Sequence, residues 1–138
     1  MEWSSFHYYK LYNSCFSHEQ CDEIVGMYKE SGGKNSVLYD HDGEEGRNAK
    51  IFWLYNELQT SWIFSKLESI VREYDTNLWF DLLYPVGAAQ LSRYNRGQHY
   101  NWHMDLGGKK ASNRKVSIVV ELSRSLDCAG GGIEIFHR

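Results

Sequence analysis

His103 and Asp105 stand two residues apart at the end of the run Tyr94-Asn-Arg-Gly-Gln-His-Tyr-Asn-Trp-His-Met-Asp. In an extended strand alternate side chains leave from one face, so this spacing sets an imidazole beside a carboxylate and sends Met104 the other way. Those two donors suit a divalent transition metal. A two-histidine, one-carboxylate triad holds Fe(II) on one side and leaves its remaining positions open for other ligands. A second histidine is needed to complete such a set. His-x-Asp also arises by chance in a chain with 6 histidines. The bland alternative is a satisfied strand histidine followed by a turn aspartate ahead of Gly107-Gly108.

The elements that must position this pair fall into two halves. Ser17-His18-Glu19-Gln20 reads as a capping box, with Phe16 and Cys21 placed as a hydrophobic staple. Cys21, Ile24, Val25 and Tyr28 continue as a helical stripe over about 18–30, closed by Gly32-Gly33. Lys34 to Lys50 mixes Asp40, Asp42, Glu44 and Glu45 with glycines and predicts a solvated loop between short strands. Asn56 with Gln59 opens a second helix carrying Leu58, Trp62, Ile63, Leu67, Ile70, Val71 and Tyr74. After Asn77 come short runs that predict strands: Trp79–Leu83, Ala88–Arg93, His99–Asp105, Lys115–Leu122 and Ile133–Phe136. Helices followed by closely spaced strands predict an α+β domain with an antiparallel roll.

Composition narrows the classes. The 138 residues, 42% of them hydrophobic and 15% aromatic, are enough for one packed domain. A net charge of -3, with basic residues scattered along the chain, disfavours nucleic acid as a direct ligand and fits a small or peptide substrate better. Cys15, Cys21 and Cys128 form no metal-binding or disulfide pattern, which points to a reducing compartment. No leader-like start or membrane-length apolar run is present, so a cytoplasmic location with no membrane contact is expected.

Around the pair the residues resemble the prolyl 4-hydroxylase-like branch of the 2-oxoglutarate and Fe(II)-dependent oxygenases. Tyr94, Gly97, Tyr100, His103 and Asp105 fall at that family's signature spacing. Arg114-Lys115-Val116-Ser117 with the following aliphatics, and Gly131-Gly132-Ile133-Glu134-Ile135-Phe136, are similar to two of its later strands. The likeness runs from residue 17 to 138. It implies N-terminal helices, about 16–77, packed on a double-stranded β-helix of jelly-roll or cupin type, about 78–138. It implies His103 and Asp105 as iron ligands, Tyr94 donating its hydroxyl to the far carboxylate of 2-oxoglutarate, and Tyr100 lining the substrate mouth. Fe(II) is then the cofactor, with 2-oxoglutarate and O2 as co-substrates and ascorbate as an auxiliary reductant. The activity implied is hydroxylation of a C–H bond in a protein or peptide, with a peptidyl proline as the substrate.

The same family places a second histidine and a carboxylate-pairing Arg or Lys well beyond the aspartate, and here His137 is the only later histidine, with Arg138 directly after it. An incomplete barrel, lacking its last strands, is therefore expected. The alternative is a barrel remnant that binds a peptide or small ligand on an aromatic face containing Tyr94, Tyr100 and Trp102. A zinc hydrolase on His99-x-x-x-His103 is a weaker rival, because Tyr100 stands where such motifs carry glutamate. Gln98 and Asn101 either support the metal ligands or face water, Arg93 and Arg96 read as surface charges, and Trp102 and Met104 are expected to pack inward. Arg114 either orients the loop or starts a solvated strand. Glu121 stands where some relatives of that family place a tyrosine or glutamine facing the co-substrate, a departure from the pattern. The sequence names neither the individual substrate nor the oligomeric state.

Overall fold

A computed structural model describes residues 9–39, 42–75, 87–105, 114–124 and 126–136. Helix α1 (His18–Ser31) begins where its end groups find partners. The Gln20 N–H donates to the Ser17 hydroxyl at 3.2 Å and the Ser17 N–H donates to the Gln20 side chain at 3.0 Å, closing the predicted capping box. At the far end Gly32, with φ 75°, donates its N–H to the Tyr28 carbonyl. That left-handed turn would strain any residue bearing a Cβ.

The stretch Lys34–Lys50, expected as a solvated loop, is instead mostly hairpin. Strand β1 (Lys34–Tyr39) pairs antiparallel with β2 (Glu45–Tyr55). Asp42 and Glu44 sit exposed between the two strands, and β1, the sheet's edge, carries a single charged residue, Lys34. The second helix also departs from expectation: α2 runs Ser61–Asp75 and does not open at Asn56. The Asn56 N–H is taken by the Gly87 carbonyl at 3.1 Å. Thr60 turns the chain into the helix, its buried hydroxyl accepting the Glu57 N–H and donating to the Tyr55 carbonyl. Leu58 is therefore left outside the stripe, 88% exposed, and Ile63 and Phe64 head the buried face.

Strand β3 (Ala88–Arg93) pairs antiparallel with β2 from Tyr55 back to Lys50, and β4 (His99–Tyr100) pairs with the same strand at Asn48 and Arg47. The two short strands are successive stretches of one course along β2, interrupted by an excursion at 94–98. The result is α+β: two helices and an open antiparallel sheet of four strands among the described residues. The helices cover one face. Phe16, Ile24, Leu54, Ile63 and Phe64 form the buried cluster, with Phe52, Ala89, Leu91, Trp62 and Leu67 packed against it. Strand alternation then turns Arg47, Ala49, Ser92 and Tyr100 to the opposite face.

Two expected strands, Lys115–Leu122 and Ile133–Phe136, join no ladder among the described residues, and Trp79–Leu83 lies outside them. Leu122 packs against the core and Arg124 reaches Asp22 of α1 at 2.7 Å, while Val119, Ile133 and Phe136 stay exposed. β-branched and aromatic runs show that a segment suits a pleated surface, without naming the edge that receives it. No helix among the described residues is long and apolar enough to cross a membrane.

The capping box and the true start of α2 are separable in a urea titration. Ser17→Ala should cost about 1 kcal/mol of unfolding free energy, whereas Leu58→Ala, on an exposed turn, should stay within about 0.5 kcal/mol of the parent. A cost at Leu58 as large as that at Ser17 would restore the earlier helix start.

Candidate metal centre

The excursion between β3 and β4 is a built turn. Gly97 takes φ 80°, and the Gln98 N–H donates to the Asn95 carbonyl at 2.9 Å. The Gln98 side chain ties the turn at both ends, accepting the Asn95 N–H at 2.7 Å and donating to Asn48 Oδ1 at 2.9 Å. Gln98, expected either to support a metal ligand or to face water, thus fastens the loop to β2. Past β4 the sheet contributes one more bond, from the Asn101 N–H to the Gly46 carbonyl at 2.7 Å. His99 Nε2 lies 2.9 Å from the Glu45 carbonyl, so that nitrogen carries a hydrogen, since a carbonyl only accepts.

His103 and Asp105 lie beyond the strand. Of the expected strand His99–Asp105, only His99 and Tyr100 are in the ladder, and the chain bends at Trp102 and again at Asp105. The cause is local: His103 Nδ1 sits 2.7 Å from the Asn101 carbonyl and takes an acceptor that a neighbouring strand would need. The side chains nonetheless meet, with His103 Nε2 3.3 Å from Asp105 Oδ1.

This geometry fixes the proton inventory. The contact with a carbonyl requires the hydrogen on Nδ1, which leaves Nε2 of a neutral ring with a lone pair. That lone pair faces a carboxylate oxygen, and only a proton on Nε2 or a cation held by both atoms makes the approach favourable. Two donors each about 2.1 Å from a shared ion stand roughly 3 Å apart when they meet it at right angles, close to the separation seen. The pair is half-exposed and open to solvent. Among the described residues no group of three or more His, Cys, Asp and Glu gathers anywhere.

Tyr100 positions the imidazole. Its ring stacks on His103 with centroids 3.6 Å apart and planes 14° from parallel. Directly opposite Tyr100 in the ladder is Arg47, whose guanidinium carbon lies 5.1 Å from the same ring. Tyr94, the first residue of the excursion, is 43% exposed. Burial pushes its phenol above the ordinary range, against a lowering pull from the Arg47 charge and a hydrogen bond with Ser92. The structure therefore gathers Tyr94 and Tyr100 around Arg47, and joins that group to His103 through the Tyr100 ring.

Other expectations change. Trp102 and Met104, expected to pack inward, are 66% and 83% exposed; beyond the bend Trp102 meets the Phe136 ring edge-on, with centroids 6.4 Å apart. Glu121 accepts the Ser123 N–H at 3.0 Å, a local turn contact. Arg93, Arg96 and Arg114 are exposed, and His137 lies outside the described residues. Arg47 escaped sequence reasoning because its segment read as loop. The alternation Arg47, Ala49, Ile51 was the signal available.

Gln98→Ala should speed amide hydrogen exchange at 95–101 at a stability cost of roughly 1 kcal/mol. Unchanged exchange there would mean the turn holds itself without that side chain. Because the Tyr94 phenol ionises late, any stability it adds is intact at neutral pH and is lost as pH climbs past the ordinary phenol range near about 10 and through the raised value. In an alkaline spectrophotometric titration Tyr94→Phe should remove a phenol that ionises above the ordinary range; loss of an ordinary one would contradict this. No protein-family profile, curated protein or solved structure matches the chain, so these side chains are what a functional reading has to stand on.

Proposed function

We propose that this chain is an Fe(II)- and 2-oxoglutarate-dependent dioxygenase domain that hydroxylates a C–H bond, with a peptidyl prolyl residue as its substrate. The observation that carries this reading is the facing of His103 Nε2 and Asp105 Oδ1 at 3.3 Å, with Nδ1 committed to the Asn101 carbonyl. In this reading the open sheet is one part of a double-stranded β-helix. Its face away from the helices, with Arg47, Ser92 and Tyr100, is the inner wall.

His103 and Asp105 would hold the ion, one neutral nitrogen and one charged oxygen. When bound, Fe(II) supplies dioxygen activation and the oxidative step, with 2-oxoglutarate passing to succinate and carbon dioxide. The protein's own part is placement. The Asn101 carbonyl fixes which nitrogen offers its lone pair, and stacking on Tyr100 restrains rotation of the ring. Tyr94 offers a hydroxyl that stays protonated at neutral pH and so remains a donor to a carboxylate. Tyr100 and Trp102, both exposed beside the pair, offer aromatic surface to a peptide.

That exposed surface also favours a second reading, a binding module without turnover. Anaerobic spectroscopy separates the two. Fe(II) with 2-oxoglutarate should produce a metal-to-ligand charge-transfer band that His103→Ala and Asp105→Ala each abolish. Tyr100→Ala, which frees the imidazole, should weaken metal binding about 10- to 100-fold. A chain that binds peptide and gives no band would leave the module reading standing alone.

A further inference from the structure

Strand β1 closes one side of the sheet, and no strand among the described residues pairs with its outer edge. Successive residues of a strand aim their backbone groups at opposite edges. In β2 the Gly46 carbonyl is bonded on the β4 side, and the Asn56 N–H, just past the strand, is bonded at the start of β3, so even-numbered residues serve that side. Arg47, Ala49 and Ile51 serve β1, where their partners are Leu38, Ser36 and Lys34. Asn35 and Val37 therefore present their N–H and C=O groups outward. Such a row is a template for another strand.

The edge lacks most of the devices that discourage pairing. Protected edges carry proline, several charges or an inward-pointing charge. β1 has one charged residue, Lys34 at its start, and a register shift after Leu38 that confines the regular strand to Lys34–Leu38. Within that length Val37 and Leu38 are 39% and 44% exposed. The two ends also differ in charge: a cation leads the strand, and the exposed Asp42 and Glu44 follow it.

We propose that β1 is a self-association edge, pairing antiparallel with β1 of a second copy of this chain across a two-fold axis at Ser36. Ladder bonds form only in registers that set outward-facing residues opposite one another, and centring on Ser36 uses the whole regular stretch. Asn35 then exchanges both backbone bonds with Val37 of the other copy, and Val37 with its Asn35. Ser36 meets its own equivalent. Lys34 lies across from Leu38, where its methylene stem covers the apolar side chain. Antiparallel running also brings each Lys34 ammonium toward the other copy's Asp42–Glu44 turn, so opposite charges meet at both ends and no like charges face each other along the strands. A foreign strand has no reason to repeat that charge order. The Ser36 hydroxyl accepts from the buried Arg47 on the face away from the helices, and an axis perpendicular to the sheet keeps both helical layers together on the other face. The contact is isologous and closes at two copies.

A single strand pair buries less than roughly 1,200 Å² in total, the range of weak association, so the dissociation constant should fall between roughly 10 µM and 1 mM. Sedimentation equilibrium of the full chain over that range should show monomer and dimer and no larger species. Val37→Pro removes an outward N–H that β2 does not use, and should abolish the dimer while the far-ultraviolet circular dichroism stays unchanged. Lys34→Glu, an exposed change that leaves the ladder intact, should weaken the dimer roughly 10-fold, and adding Asp42→Lys with Glu44→Lys should restore it. In a mixture of isotope-labelled and unlabelled chains, a nuclear Overhauser contact should join Ser36 Hα of one copy to Ser36 Hα of the other. A monomer throughout, a dimer as strong in Lys34→Glu or in a folded Val37→Pro as in the parent, or a dimer without the Ser36 contact overturns the proposal. Should Val37→Pro not fold, the Lys34→Glu series and the Ser36 contact decide.

Discussion

Strand β2 is paired along both edges, and the positions of Arg47 and Tyr100 follow from that. β1 occupies one edge. The other is shared by β3 and β4 in succession, so the chain leaves β2 at Tyr94 and returns at His99. Burial of Leu54 and Phe52 against the helices fixes which face of β2 is apolar. Period-two alternation then forces Arg47 and Ala49 to the other side. Hydrophobic contact between helix and sheet, made on one face, decides the chemistry displayed on the opposite one.

That opposite face is electrostatically incomplete. A buried guanidinium leans on an aromatic ring, the ring stacks on an imidazole, and the imidazole looks at a carboxylate across a gap suited to an ion. Each contact fixes the orientation of the next; His103 and Asp105 partner each other, while Arg47 has no carboxylate within ion-pair distance among the described residues. Polar groups arranged at such cost to stability mark function more often than packing.

Legibility from sequence followed the range of the forces involved. α1 was readable almost to the residue, because a capping box and a left-handed glycine act within a single turn. β3 was readable from its bounded run. α2 was misplaced at its start, since Asn56 satisfies the pattern of a cap while its N–H is claimed by Gly87, a partner distant in sequence. The hairpin was hidden by its charges, most of which sit in the exposed turn and along β2. Of the site, the His103–Asp105 meeting was legible from spacing, although a bend brings the two together where an extended strand was expected. Arg47 was illegible for a different reason. Its neighbours Tyr94 and Tyr100 come from another strand course, and no local pattern encodes a register.

The Tyr94–Gln98 detour carries a constraint of parity. The ladder passes from Arg93 opposite Lys50 to His99 opposite Asn48, so an even number of steps on each strand returns the chain in phase. A residue added there is harmless while the off-ladder turn absorbs it; passed into the ladder, it would invert the course beyond, turning Tyr100 toward the helices and His99 toward Arg47.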